Sequence, residues 1–107
     1  MRHTYPARLL RIHVSESDRY EGKPLYEAIV AKCRERKIAG ATVFRGLEGF
    51  GESAEIHRAH LARHEQPIVI VIVDTAEQLD AFGPVVEAMM QTGTLAASAV
   101  DVVRVQK

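Results

Sequence analysis

The sequence predicts an α+β fold of the ferredoxin-like kind: a βαββαβ chain whose four-stranded antiparallel sheet carries both helices on one face. Three observations lead there. Four segments have the alternating or continuously apolar character of strands, and two segments with apolar residues three and four apart fall after the first and third of them. The chain has 107 residues, 47% of them hydrophobic, which suits one domain spanning residues 1–107 with a single core.

Ala7 to Ser15 alternates, with Leu10, Ile12 and Val14 on one side and Leu9, Arg11 and His13 on the other, and reads as the first strand. A polar turn, SESDRYEGK, leads to Pro24, which suits a first helical position. Leu25, Ala28, Ile29, Lys32 and Cys33 then form one face of a first helix. That helix is expected to end near Ile38 and Gly40, with Lys37 favourable to its last carbonyls. Ala41 to Arg45 is rich in β-branched and aromatic residues and reads as the second strand; QPIVIVIVD is the third.

Thr75 and Gln78 are spaced as a capping box, opening a second helix with Leu79, Phe82, Val86 and Met89 or Met90 as its stripe. Gly83 and Pro84 predict a kink or break between Phe82 and Val85, because proline lacks the donor and crowds the preceding turn. QTGTLAAS reads as a turn and AVDVVRV as the fourth strand.

Two helices cover one face of such a sheet, yet residues 68–73 put aliphatic side chains on both. An apolar face of that extent is rarely left to water, so a closed homo-oligomer is expected. At about 25 cal/mol per Å², three extra aliphatic side chains per subunit favour association by several kcal/mol before ordering costs.

Lys and Arg number 14 against 14 Asp and Glu, so no net field recommends nucleic acid or an anionic membrane. The N-terminal MRHTYPARLLRIHV lacks the apolar stretch of a secretory signal, and the longest apolar run is too short to span a bilayer. A cytoplasmic protein without membrane insertion is the expectation. The single cysteine, Cys33, cannot form an intrachain disulfide and lies on the apolar stripe of the first helix, where it packs rather than reacts.

The string GLEGFG, with Gly46, Gly49 and Gly51 at a strand end, has amides able to cradle an anion, although the same glycines serve a turning hairpin. It is neither a dinucleotide fingerprint nor a phosphate loop. His57, His60 and His64, spaced three and four apart, would share one face of a helix and could take zinc or copper there; in a loop or on a strand they would not. Glu16, Asp18 and Glu21, with Tyr20 and Lys23, precede the first helix and read as turn formers and favourable charges at its start. His13 reads as an interface or pH-sensitive group. No spacing supports catalysis.

The strings LLRIHVSESDRYEGKPLYEAIV and GATVFRGLEGFG, the latter followed by IH, resemble an uncharacterised family of small PII-like proteins, related in fold to the nitrogen-regulatory PII trimers and to CutA. The resemblance implies a homotrimer binding a small anionic effector, an adenine nucleotide in the PII case, in clefts between subunits. It implies effector contacts from Gly40, Ala41, Thr42 and Val43, from Gly49, Phe50 and Gly51, from Thr92 and Gly93 at a basal loop, and from Arg104 or Lys107. Where PII basal loops continue with glycines and a lysine, this chain has Thr94, Leu95, Ala96, Ala97 and Ser98. The segment from Gly46 to His64 corresponds to the T-loop. Gly46, Glu48, Glu52, Ser53, Glu55 and His57 would there face a protein target, a transporter or enzyme. The alternative is a CutA-like trimer binding a divalent metal through His57, His60 and His64.

Overall fold

A computed structural model describes residues 2–46, 48–50, 56–58 and 66–107. Its elements are β1 (Arg2–Ser15), β2 (Arg19–Tyr20), β3 (Lys23–Pro24), α1 (Leu25–Glu35), β4 (Gly40–Arg45), β5 (Glu48–Phe50), β6 (Ile56–Arg58), β7 (Pro67–Asp74), α2 (Ala76–Met89) and β8 (Thr94–Val105). β4, β7, β1 and β8 form the sheet in that order, each antiparallel to its neighbour. With α1 and α2 packed against it, this is the ferredoxin-like arrangement expected.

The core lies between the helices and one face of the sheet. In register, Leu10 stands opposite Ile72, Ile12 opposite Ile70 and Val14 opposite Ile68. These six pack with Leu25, Ile29 and Cys33 of α1 and Leu79, Phe82, Val86 and Met89 of α2. Both apolar stripes read from the sequence therefore face the sheet.

β1 begins at Arg2 rather than Ala7. Its residues Arg2 to Ala7 pair only with Val105 to Val100, because β7 ends where Asp74 meets Arg8. β1 and β8 thus leave the sheet as a two-stranded ribbon.

The polar turn before α1 contains a small hairpin, β2 with β3, around a two-residue turn at Glu21 (φ 50°) and Gly22 (φ 81°). Two successive positive φ values are the type I′ geometry that matches strand twist. Pro24 precedes the helix as its cap with extended backbone (ψ 130°), so Leu25 is the first helical residue. The Leu25 amide donates to the Asp18 carbonyl at 2.8 Å, and the Asp18 carboxylate accepts the Ser15 amide at 2.8 Å. The turn-forming reading of Asp18 holds.

Helix α1 stops at Glu35, earlier than Ile38 to Gly40. Lys37 takes the left-handed conformation (φ 58°), its amide donates to the Arg34 carbonyl, and the Ile38 amide donates to that of Cys33. This is a Schellman ending, with Ile38 turned back onto the core.

Helix α2 runs unbroken through Pro84. Proline here forgoes one backbone bond, but Gly83 before it has no Cβ to meet the ring, which removes part of the clash that ordinarily expels a pre-proline residue from helical geometry. At the start, the Gln78 amide donates to the Thr75 hydroxyl at 3.2 Å, the N-cap half of the box. Asp74 is buried and locks the junction, accepting the Ala39 amide at 2.9 Å and the Thr75 amide at 2.7 Å.

The turn after α2 is shorter than QTGTLAAS, since Thr94 to Ser98 already pairs with His13 to Leu9. Ala96, Ala97 and Ser98 have little intrinsic preference for strand, but the free edge of β1 and half-buried Leu95 opposite Ile12 decide the matter. Gly93 makes the tight turn: at φ 136°, an added Cβ would lie 2.7 Å from the His13 carbonyl oxygen and 2.5 Å from Met90 Cε.

Candidate functional site

β4 is an edge strand with every residue exposed, Phe44 at 55%. Its end is tied down at three points. The Gly46 amide donates to the Pro67 carbonyl at 2.7 Å, the Glu16 amide donates to the Gln66 carbonyl at 2.8 Å, and Arg45 Nη1 pairs with Glu16 Oε2. A Cβ at position 46 would sit 2.8 Å from the Pro67 ring, so the close approach of the chains requires glycine there. The other Glu16 oxygen, Oε1, is buried without a hydrogen-bond partner among the described residues. Arg45 and Glu16 are 29 positions apart, and no spacing signal could have joined them.

Beyond this clamp, β5 and β6 form a separate antiparallel ribbon with Glu48 opposite Arg58, Gly49 opposite His57 and Phe50 opposite Ile56. Part of the expected T-loop is therefore a hairpin arm. Gly51, Glu52, Ser53, Glu55, His60 and His64 lie outside the described residues. His57 stands on a strand, where the shared helical face imagined for the three histidines does not arise. Among the described residues no group of three or more His, Cys, Asp or Glu side chains is placed to hold a metal.

Across the sheet, a cavity of about 420 Å³ opens at the turn between α2 and β8, lined by Glu87, Met90, Gln91, Thr92, Gly93 and Leu95. Thr92 and Gly93 were expected at a ligand. Gly93 adjoins His13, which pairs with Val69, which in turn pairs with Phe44. The cavity and the root of the arm thus occupy the same end of the sheet.

They occupy opposite edges of it. Three strand spacings separate β4 from β8, roughly 14 Å, so Thr42 and Val43 do not meet Thr92 and Gly93 within one chain. Gly40 and Ala41 lie at the far end of β4, opposite Val73 and Ile72. Arg104 is farther still, opposite His3 in the β1–β8 ribbon and roughly 34 Å along β8 from Thr94. Thr94 to Ser98, aligned with a PII basal loop by the resemblance, are strand residues instead.

Cys33 is buried in α1, and burial pushes its thiol from 9.0 up to about 11. It is a packing residue, as its place on the stripe implies.

A four-stranded sheet of this order with two helices on one face and an arm springing from its β4–β7 end is the form of the ferredoxin-like fold that PII-like and CutA1 proteins share. CPII, a nitrogen regulatory PII-like protein from Thiomonas intermedia K12, solved bound to ADP, AMP and bicarbonate, superposes with a TM-score of 0.66 at 21% identity, over 94% of this chain and 91% of that one. CutA1 from Oryza sativa superposes with a TM-score of 0.62 at 15% identity, over 92% and 82%. At these identities the likeness is one of fold.

The chain itself belongs to the DUF190 family, described as Uncharacterized ACR, COG1993, whose pattern matches residues 7–102. Among its relatives, a UPF0166 protein of Aquifex aeolicus (strain VF5) is 40% identical over 77 residues, 70% of this chain and 73% of that one. A UPF0166 protein of Methanocaldococcus jannaschii is 32% identical over 80 residues, 73% of each.

Proposed function

We propose that this chain is a PII-like regulatory protein. Three copies assemble through the helix-free face of the sheet, a small anionic effector binds where the copies meet, and the arm beyond Gly46 is offered to a target protein. The observation that carries the reading is the division of the candidate residues between opposite sheet edges. Gly40 to Val43 and the root of the arm lie on one edge and Thr92, Gly93 and the cavity on the other, so a site containing both needs two chains.

The half-buried Val69, Val71 and Val73, with exposed Phe44, supply the apolar surface for that assembly. CPII, solved with ADP, AMP and bicarbonate, supports an adenine nucleotide as the effector class. Backbone amides at Gly49 and Gly93 are the groups suited to its phosphates.

The mechanism is a population shift. An effector that touches the root of the arm favours one arm conformation and changes target affinity by its differential binding to the two states, typically about 5- to 150-fold. Titration calorimetry of the purified chain against AMP, ADP and ATP tests the effector, with sedimentation velocity run on the same samples. Saturable heat from at least one nucleotide, together with a trimer mass, is expected. Flat traces throughout remove the nucleotide, and a lone folded subunit at micromolar concentration removes the seams as well.

A further inference from the structure

The helix-free face has a charge pattern that self-assembly must accommodate. Residues directly opposite in an antiparallel ladder share a face. On this one stand His3, Tyr5, Leu9, Arg11 and His13 of β1 and, by register, their partners in β4, β7 and β8. The chain has 14 acidic residues, yet none of those described falls on this face. The bases are Arg11 with His13, two positions apart over the four-stranded part, and His3 with Arg104 in the distant ribbon. All four are exposed in the single chain.

Around His13 the neighbouring strands offer nothing to balance it. Val69 and Phe44 face it from β7 and β4, Thr94 from β8, and the one charged neighbour among the described residues is Arg11. A second copy turning the same face inward brings the same two bases. Arginine cannot shed its proton, and a buried unpaired guanidinium is costly. Among the described residues this face holds no acid to serve as counter-charge, which leaves the role to an anion from solution.

We propose that Arg11 and His13, gathered from neighbouring copies on the assembled face, form a binding site for a small inorganic-type oxyanion that couples self-association to pH. This rests on the self-association reading above and concerns a site separate from the effector cleft. Without the anion, assembly desolvates His13 beside Arg11, which disfavours the charged imidazolium in the assembled state. Assembly then releases protons, so it is firmest above the ordinary imidazole pKa near 6.5 and weakens as pH falls through that value. With a divalent oxyanion present, protonated His13 gains a partner, and assembly takes up protons instead. The anion reverses the sign of the pH dependence.

Sulfate is the probe, because it stays divalent on both sides of the imidazole pKa. Sedimentation velocity of the full chain is run at about pH 8 and about pH 5.5, in chloride and in millimolar sulfate at matched ionic strength. In chloride the association constant per subunit is expected to fall by up to about tenfold at the lower pH, the limit being about tenfold per pH unit below the imidazole pKa for the one proton released. Sulfate restores it. His13→Gln removes the pH response and keeps assembly, His3→Gln leaves the response unchanged, and Arg11→Gln removes the sulfate response. General salting-out by sulfate would persist in Arg11→Gln, which separates the two effects. A wild-type oligomer indifferent to sulfate, or a sulfate effect that survives Arg11→Gln, overturns the anion site and leaves the self-association reading standing. A chain monomeric in every condition overturns both.

Discussion

The two faces of β7 make an instructive contrast, because a single strand supplies both. Ile68, Ile70 and Ile72 point under the helices and are at most 1% exposed, while Val69, Val71 and Val73 on the other side remain half-buried. The charges divide in the same way. On the helix side Arg8 pairs with Asp80 of α2, and Asp74 accepts two backbone amides; on the other side Arg11 and His13 have no acid near them among the described residues. One face is satisfied by the chain's own helices, and the other is apolar in shape and unbalanced in charge. A face of the second kind is a surface for another molecule, under the proposed function a further copy.

The contrast is sharpest at adjacent positions of the same strand. Ile70→Ala removes methylenes from a site with no exposure and is expected to cost about 2–5 kcal/mol, read as a lower urea midpoint at unchanged slope. Val71→Lys, one residue on, is expected to leave the single chain within about 1 kcal/mol of the wild type, since the side chain can reach solvent. It should instead abolish sedimentation as an oligomer at micromolar concentration, by adding a third base beside Arg11. If Val71→Lys unfolds the chain as severely as Ile70→Ala, the two faces are not different in kind.

A smaller effect tests how the helix side is closed at its edge. Asp74 is the buried polar residue joining the start of α2 to the loop before β4, through the amides of Thr75 and Ala39. Asp74→Ala leaves two donors without their acceptor and is expected to cost about 1–3 kcal/mol, with faster hydrogen exchange at both amides. Asp74→Asn keeps one carbonyl oxygen and should fall between. The oligomer mass should be unaffected, because neither bond touches the helix-free face.

How far the sequence revealed this arrangement depends on where the controlling contacts lie. The alternation of β1 and β7 and the stripes of α1 and α2 are periodic within a few residues, so these elements and the ferredoxin-like order were legible. Thr94 to Ser98 was not, because small residues carry little strand preference and their pairing partner is some eighty positions away in β1. The end of α1 was misplaced because Lys37, not a glycine, takes the left-handed turn. Pro84 suggested a break that the backbone absorbs. For the candidate site, the glycines and Thr92 could be named, but spacing holds nothing about sheet order, and sheet order is what puts them on opposite edges. The Arg45–Glu16 clamp likewise exists only through the fold.

The helix layer has a pH signature of its own, in the alkaline range. Burial holds the Cys33 thiol neutral up to about 11, against 9.0 for a free thiol. Between those values the unfolded chain has lost the proton and the folded chain still holds it, so unfolding is favoured progressively. Stability from this group is complete below pH 9.0, declines as pH rises, and levels off above about 11. Denaturant midpoints across this window, compared with those of Cys33→Ala, are expected to show a steeper alkaline decline in the wild type. A thiol reagent at neutral pH should react at the rate of global unfolding.

The smallest expected change runs in the stabilising direction and is confined to the helix layer. Lys37 holds a left-handed φ of 58° so that its own amide and that of Ile38 can close the end of α1 on Arg34 and Cys33. A Cβ in that conformation is strained by about 1–2 kcal/mol, and glycine removes the strain while adding backbone freedom to the unfolded chain. The two effects oppose, and for a Schellman ending the first is larger. Lys37→Gly is therefore expected to raise stability by about 0.5–1 kcal/mol and slow exchange at the Ile38 amide. Because Lys37 belongs to the finished side of the sheet, oligomer mass and its dependence on sulfate should stay as in the wild type; a shift in either would mean that the helix layer and the helix-free face are coupled.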